Sequence, residues 1–247
     1  MMGNVTSLWR HPIKSHGRED VSSTTLIAGH TMPGDRVWAV AHEASKADNS
    51  EWSRCANFTR IAKVPQLMAM TSRLDDAAGI VTLEHPELGS LSIDPDQDAQ
   101  TFLDWVKPLM PADRAQSTRI VKVPNRGMTD SKFPSVTLCN TASHRAVEQQ
   151  IGTELSIHRW RGNIWLDGFE AWEEFEWIDR DIRIGEAILR PLERTGRCPA
   201  TKSNPVTGVH DADTLAALDT FGHRDFSMCA EVIQGGLVEV GSKVELL

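Results

Sequence analysis

One thiol, that of Cys198, lies in an irregular segment whose residue types could do chemistry, residues 194–208. Arg197 precedes it and Pro199 follows it. Because a neighbouring guanidinium favours the thiolate, which attacks electrophiles and binds metals, this spacing predicts a reactive sulfur. The proline fixes one φ angle and withholds a backbone donor, as is typical of a loop held in one shape. A turn around a small buried thiol explains the same residues, because free cysteines are often buried.

The other cysteines are Cys55, Cys139 and Cys229, and no two of the four are close enough in sequence to form a CxxC pair. This spacing argues against a structural zinc site and against a thioredoxin-type motif. Cys139 and Cys229 fall in apolar strands, which predicts core positions, whereas Cys55 follows Arg54 in a loop. Because no motif pairs the four cysteines, the role of each thiol has to be inferred from its own surroundings.

Bulk composition excludes several classes of function. The formal net charge of −8 argues against an electrostatic nucleic-acid binder, which usually has a basic face. No apolar run approaches the roughly 20 residues that a membrane-spanning helix needs, and the N-terminus has no signal-peptide pattern. The sequence therefore predicts a cytoplasmic protein without membrane or nucleic-acid partners.

Many short alternating runs, separated by glycine and proline turns, predict a mainly β protein with three modest helices. The helices are expected at residues 96–109, at residues 141–151 with Gly152 as the stop, and at residues 213–221. Residues 181–189 and 237–246 are each predicted to form a hairpin, as in a small closed barrel. The expected architecture is an N-terminal β-barrel-like domain over residues 1–112 and a second β-barrel with short helices over residues 113–247.

Several motifs together resemble one family. Arg-Cys-Pro-Ala-Thr at residues 197–201 and Asn-Pro-Val-Thr-Gly at 204–208 are similar to the signature of the MOSC domain, named after the C-terminal part of molybdenum cofactor sulfurases. Arg-Gly-Asn at 161–163 and the strands at 232–241 extend that resemblance. Residues 8–15 and Gly-Asp-Arg at 34–36 resemble the β-barrel that precedes this domain in the amidoxime-reducing component and its bacterial relatives. One departure is Asn204, where the family often has aspartate.

The resemblance implies a molybdenum–molybdopterin cofactor, with Cys198 as the thiolate ligand of the metal. A soft thiolate suits a metal already bound to dithiolene sulfur. Lysine and arginine make strong charge-assisted bonds to phosphate. The family positions that contact the cofactor correspond here to Lys14, Ser15, Arg36, Arg161 and Arg197.

Four further residues are implied as cofactor contacts, each with an ordinary alternative. Thr141, Ser143 and His144 are expected at a helix start, where backbone amides suit an anion and where the same residues serve as caps. Asn163 could orient the pterin or satisfy a strand end. Likewise, Lys14 could simply be solvated, and Arg36 could pair with Asp35 on the surface.

Three functions stay open at this stage. The first is a molybdenum-dependent oxidoreductase that reduces N-hydroxylated compounds or related N- or S-oxides as small-molecule substrates. Its electrons would come from a separate ferredoxin- or flavoprotein-type donor, because no iron–sulfur domain follows the second barrel. The second is a sulfur carrier with a persulfide on Cys198, and the third is a module that binds or delivers the cofactor without turnover.

Overall fold

Alternating apolar residues become strands throughout the chain, in a computed structural model that describes residues 2–247. The first strand, β1 (Met2–Arg10), illustrates how the side chains are sorted between the two faces. Val5 and Leu8 both point inward although they differ by three positions, because the pairing register shifts between Val5 and Ser7. A bulge of this kind moves the following residues to the opposite face of the sheet.

Eighteen strands and α-helices make up the regular structure of residues 2–247. In chain order they are β1 (Met2–Arg10), β2 (Glu19–Val21), β3 (Ser23–Leu26), β4 (Ala39–His42), β5 (Thr71–Asp75), β6 (Ile80–His85), β7 (Gly89–Ile93), α1 (Ala99–Val106), β8 (Ser117–Val121), β9 (Val136–Asn140), α2 (Thr141–Ile151), β10 (Ile164–Asp167), β11 (Ile182–Ile184), β12 (Ala187–Gly196), α3 (Thr214–Asp219), β13 (Asp225–Gln234), β14 (Gly236–Glu239) and β15 (Lys243–Leu246). The fold is mainly β with few short helices, as the sequence predicts.

Seven strands close into a barrel. The hydrogen-bonded order is β10–β9–β13–β12–β11–β15–β1, and β1 pairs back onto β10 to close the ring. All the pairings are antiparallel except β9 with β10. The barrel interior is a cluster of buried aliphatic side chains that includes Leu138, Leu166 and Val244. Closure leaves these seven strands without a free edge.

The N-terminal half forms smaller sheets around a second apolar cluster. Strands β5, β6 and β7 form one antiparallel sheet, and β4 pairs with β8 in another. Helix α1 places Phe102, Leu103 and Val106 in this cluster. Pro108 lies in the 3-10 turn Lys107–Leu109 that ends the helix, which is why the α-helix is shorter than residues 96–109.

Helix α2 has the ends that its sequence predicts. The Asn140 side chain accepts a hydrogen bond from the Ala142 amide, and Gly152 ends the helix with φ +82°. Such an N-cap satisfies an otherwise free amide, and the left-handed conformation at the C-terminus favours glycine.

The predicted hairpin at residues 237–246 is wrong. Strand β14 pairs with β3 in the register Val238 to Thr24, and β15 pairs with β1 and β11. The turn between β14 and β15 therefore sends the chain from one sheet to another. The other expected hairpin, β11 with β12, is present.

The division of the chain at residues 112 and 113 stays a prediction. In three dimensions β1 belongs to the closed barrel, although it precedes that boundary, and β3 pairs with β14 from the second half. The two halves are therefore joined by strand pairing as well as by side-chain contacts.

Candidate functional site

A cavity of about 320 Å³ lies between the two halves of the molecule. Its wall carries seven cationic side chains and two carboxylates: Lys14, Arg36, Arg60, Arg159, Arg161, Arg194 and Arg197, with Asp130 and Glu193. The chain as a whole has a net charge of −8, so this cationic surface is a local feature. A concave site lined by one sign of charge concentrates ligands of the opposite sign.

Cys198 faces this cavity from the loop that follows β12, and its side chain is exposed. The Cys198 carbonyl accepts hydrogen bonds from the Thr201 amide at 3.2 Å and from the Thr201 hydroxyl at 3.1 Å. The same hydroxyl lies 2.6 Å from that of Thr214 in α3. The loop is thus held by its backbone, which leaves the thiol free to react. The alternative of a buried thiol is excluded.

Arg197 holds the cysteine loop against the barrel. Its guanidinium donates to the carbonyls of Phe226 at 3.0 Å and Trp160 at 2.9 Å, and to the Ser227 hydroxyl at 2.5 Å. Burial lowers the pKa of Arg197, and the neighbouring thiols oppose that effect. Most of its donors are used within the protein, so Arg197 acts through the position of Cys198. A contact between Arg197 and the cofactor stays a prediction.

Asp35, behind the cavity wall, fixes Arg36. Its carboxylate accepts a short bond from the Arg36 guanidinium and a 2.8 Å bond from the His11 amide. Burial alone would raise the pKa of Asp35, but Arg36 and His11 hold it well below its usual range. Arg36 also donates to the carbonyl of Arg161 at 2.9 Å. The Asp35–Arg36 pair predicted as a surface alternative therefore exists, but it is buried and leaves Arg36 on the cavity wall.

Arg161 is a buried cation of the cavity wall with an unused donor. One guanidinium nitrogen donates to the Gly17 carbonyl at 3.1 Å, whereas Nη2 is buried without a partner. Burial and the nearby charge of Arg36 lower the pKa of Arg161 to about 9. A buried guanidinium without a carboxylate partner is costly for the protein alone. An anion at this point would supply both the charge and the acceptor that are missing.

Lys14 and Ser15 complete the inner wall. The Lys14 ammonium donates to the Met128 carbonyl at 2.6 Å and to Asp130 at 2.7 Å. Removal of the Asp130 carboxylate from bulk water raises its pKa, but the nearby cations, of which Lys14 has the largest effect, lower the pKa overall. Lys14 is buried rather than solvated, which corrects the alternative of a plain surface lysine.

Three residues of the wall have a left-handed backbone. The φ angles are +66° at Ser15, +52° at Arg36 and +50° at Arg161. Such angles are uncommon for residues other than glycine and persist where the surrounding structure imposes them. Their recurrence on one cavity wall indicates that the backbone is shaped to aim these side chains.

Thr141, Ser143 and His144 do not line the cavity, and their contact with the cofactor stays a prediction. Thr141 bonds to Asp167, the Ser143 hydroxyl donates to Glu174 at 2.9 Å, and His144 Nε2 lies 3.0 Å from the Leu155 carbonyl. The Ala142 amide at the start of α2 donates to the Asn140 side chain, which caps the helix. In this structure all three side chains have hydrogen-bond partners within the protein.

Asn163 also lies away from the cavity wall. Its carbonyl oxygen accepts from the Thr137 amide at 3.0 Å, and its amide nitrogen donates to the Trp9 carbonyl at 3.1 Å. The side chain is fully buried. Of the two roles considered for Asn163, the structure favours the second, in which its side chain hydrogen-bonds to backbone groups of neighbouring strands.

The cavity also contains residues that the sequence does not single out, above all Arg60 and Cys55. The Arg60 guanidinium lies 3.8 Å from the Cys55 sulfur. The only sequence signal for either residue as part of the site is the loop position of Cys55. The spacing between Cys55 and Cys198 does not link the two thiols. Of the remaining thiols, burial raises the pKa of Cys139 to about 12 and raises that of Cys229.

The structure is thus a mainly β protein with a closed barrel and an exposed cysteine in a cationic cavity. Residues 129–245 match the family model described as the MOSC domain, and residues 2–115 match the model described as the MOSC N-terminal beta barrel domain. The chain therefore belongs to the MOSC family and carries both of its domains.

Individual relatives are more distant. The mitochondrial amidoxime-reducing component 1 of Xenopus laevis is 29% identical over 122 residues, which are 44% of this chain and 35% of that protein. The match thus spans about a third of the curated relative's length.

Two solved structures are also similar. The YuaD protein of Bacillus subtilis has a TM-score of 0.47 and 11% identity, over 100% of this chain and 96% of that one. The YiiM protein of Geobacillus stearothermophilus has a TM-score of 0.35 and 15% identity, over 45% and 53%.

Two features are absent from residues 2–247. None of the helices there is both long and apolar enough to cross a lipid bilayer. In the same part of the chain, no three His, Cys, Asp or Glu side chains come together as a set of metal ligands.

Proposed function

We propose that this protein is a molybdenum-cofactor-dependent oxidoreductase that reduces N-hydroxylated compounds or related N- or S-oxides. The observation that carries the proposal is one cavity in which the exposed thiol of Cys198 shares a wall with Lys14, Arg36 and Arg161. The MOSC domains and the name of the amidoxime-reducing relative support the same reading.

The residues of the cavity fit such a cofactor. The unpartnered Nη2 of Arg161 calls for an anion, which a terminal phosphate would be. Cys198 supplies a single soft ligand, so the other ligands of a metal at this point must come from the cofactor. A dithiolene provides such sulfur ligands. Arg36, Arg161, Lys14 and Ser15 would hold the phosphate end, and Cys198 would hold the metal end. Within residues 2–247, no three His, Cys, Asp or Glu side chains form a metal site without a cofactor.

When bound, the cofactor would supply two-electron redox chemistry. The protein contributes position and electrostatics. Arg197 and Thr201 hold the Cys198 loop, and Asp35 holds Arg36. The positive charges of Lys14, Arg36 and Arg161 would neutralise the negative charge of the bound cofactor. Asp130, paired with Lys14, is a carboxylate on the same wall.

Electrons would arrive from a separate ferredoxin- or flavoprotein-type donor. This part of the proposal follows from the relative, whose name describes a component of a reducing system. Location in the cytoplasm stays a prediction of the sequence.

The test is reduction of benzamidoxime by protein made in a host that synthesises the cofactor, with dithionite-reduced methyl viologen as donor. We expect turnover by the wild type and a loss of at least a hundredfold in Cys198→Ser. Cys229→Ser is the matched control, because that thiol is buried and bonded to Thr195, and it should retain activity. Equal activity of Cys198→Ser and wild type would refute the proposal.

Sulfur transfer through a persulfide on Cys198 is the second candidate. A specific observation favours it, namely that a second thiol, Cys55, lines the same cavity. This candidate predicts cyanide-labile sulfur on Cys198 and no bound pterin. A protein that binds the pterin and reduces no substrate would instead be a binding or delivery module.

A further inference from the structure

Arg18 joins the two halves of the molecule at the loop that carries Cys198. Its Nη1 donates to the carbonyls of Met68 at 2.8 Å and Met70 at 3.1 Å. Its Nη2 donates to the Pro205 carbonyl at 3.0 Å. Met68 and Met70 are buried in the apolar cluster of the N-terminal half. One guanidinium thus fixes the backbone of the cysteine loop to the packed core of the other half.

The Pro205 carbonyl lies near the tip of a short hairpin, residues 202–211. Ser203 and His210 pair across this hairpin as an antiparallel bridge. Cys198 precedes the hairpin by four residues. Because the hairpin is held together by its own backbone bonds, the point at which its tip is fixed helps to set the position of the thiol.

Two other contacts join the same loop to the N-terminal half, and both are nonpolar. Ala200 packs against the N-terminal apolar cluster, and Gly208 rests on the backbone of Gln66. Contacts of this kind exclude water but are not directional. The bonds of Arg18 are directional, because a planar guanidinium that donates to several carbonyls fixes both distance and angle.

We propose that Arg18 is a positioning residue for Cys198, which keeps the thiol close to the cations of the N-terminal half. Arg197 holds the cysteine loop against the barrel, and Arg18 holds it against the other half. Lys14 and Arg36 lie on the cavity wall that this half contributes. Arg18 lies outside the cavity lining, so it acts through the position of the loop. The inference concerns the thiol itself, so it applies to a metal ligand and to a sulfur carrier alike.

Alkylation of the thiol measures this position without turnover. Iodoacetate is anionic and iodoacetamide is neutral, so cations beside a thiol favour the first reagent over the second. The full chain carries Cys55→Ser, which leaves Cys198 as the accessible thiol because Cys139 and Cys229 are buried. It is made in a host unable to synthesise the molybdenum cofactor, so that no metal blocks the sulfur.

The measured quantity is the rate constant with iodoacetate divided by that with iodoacetamide. We expect this ratio to be about fivefold higher for Cys198 than for 2-mercaptoethanol, an uncharged thiol, at low ionic strength. In 1 M NaCl the difference should largely disappear, because salt screens the attraction.

Arg18→Lys and Arg18→Met separate position from charge. Lysine keeps the positive charge but has a single nitrogen, which cannot replace the two that Arg18 uses. Both variants should lower the ratio about threefold, because the released loop lets the thiol move away from Lys14 and Arg36. A lowered ratio in Arg18→Met with an unchanged one in Arg18→Lys would mean that only the charge matters, and would overturn the proposal. Unchanged ratios in both variants would overturn it as well.

Arg119→Lys is the matched control. Arg119 Nη2 donates to the carbonyls of Ser45 at 3.3 Å and Ala47 at 2.6 Å, within the N-terminal half and outside the cavity. This variant should keep the wild-type ratio, and an equal fall in it would refute a specific role for Arg18. Thermal unfolding of each variant sets an assay temperature below every midpoint, so that a loss of folding is not mistaken for a movement of the thiol.

Turnover then separates this inference from the proposed function. A ratio that depends on Arg18, in a protein that reduces no benzamidoxime when made with the cofactor, would uphold the positioning role and refute the reductase. A wild-type ratio equal to that of 2-mercaptoethanol would overturn the positioning role, whatever the reductase activity.

Discussion

Asp35 fixes Arg36 on the cavity wall. The Asp35 carboxylate is buried and accepts hydrogen bonds from the Arg36 guanidinium and the His11 amide. Only 1% of Asp35 is exposed, so water does not screen its bond to Arg36. The depressed pKa of Asp35 means that its charged form stabilises the folded state. Removal of one partner of a buried pair leaves the other charge uncompensated.

Asp35→Asn should therefore lower the free energy of unfolding by about 3 kcal/mol at pH 7, the usual cost of a broken buried pair. Urea denaturation measures it. Asp181→Asn is the control, because Asp181 pairs with Arg190 in a partly exposed bridge that contributes at most about 1 kcal/mol. Equal losses in the two variants would contradict the role of Asp35.

His16 makes the stability of the protein depend on pH. Its ring is fully buried, with Nδ1 2.8 Å from the Lys14 carbonyl and Nε2 without a partner. Burial lowers the pKa of His16 to about 4, and the charge of Arg161 contributes. Between pH 6.5 and 4 the unfolded chain binds a proton at this residue that the folded chain does not.

Stability should consequently fall on acidification through that window, by about 3 kcal/mol at pH 4 from this residue. Urea unfolding at pH 7, 5.5 and 4.5 measures the slope. His16→Gln should flatten it, whatever its effect on stability at pH 7. A wild-type stability that is constant from pH 7 to 4.5 would contradict the assignment of a neutral, buried His16.

Among the structural elements, the loop that carries Cys198 depends on Gly208 for its conformation. Gly208 has φ +70°, and a Cβ there would lie 2.5 Å from the Gln66 Cα of the N-terminal half. Its amide donates to the Asn204 carbonyl at 2.9 Å. The loop therefore turns tightly and rests its backbone directly against the other half.

Gly208→Ala should destabilise the protein by about 3 kcal/mol, from left-handed strain and the clash together. The control is Gly222→Ala, where φ is +81° but no atom lies within 4 Å of the added Cβ. That variant should lose about 1 kcal/mol, from strain alone. Thermal unfolding of both measures the difference. If the two changes were equal, the contact with Gln66 would not matter.

Elements with local signals could be predicted from the sequence, and elements decided by distant pairing could not. The cap at Asn140 and the stop at Gly152 are within a few residues of the helix that they define, so α2 was predictable. The hairpin expected at residues 237–246 failed because β14 pairs with β3, more than 200 residues earlier in the chain. Alternation identifies a strand but carries no information about its partner.

At the scale of the whole molecule, the candidate site exists only where the two halves meet. Lys14, Arg36, Arg161 and Cys198 were expected together through resemblance to the MOSC family, and all four line the cavity. Arg60 escaped prediction because its place there is set by tertiary packing. Thr141, Ser143 and His144 were predicted from their position at a helix start, which says nothing about the direction that the helix faces.

Metal content is the most direct test of the central claim, that Cys198 holds a molybdenum cofactor in this cavity. Protein purified from a host that makes the cofactor should contain close to one molybdenum per chain, measured by mass spectrometry of the metal. Cys198→Ser should lose most of it, whereas Cys55→Ser, the same change in the same cavity, should keep it. A wild type without molybdenum from such a host, or a Cys198→Ser variant with wild-type metal content, would contradict the account.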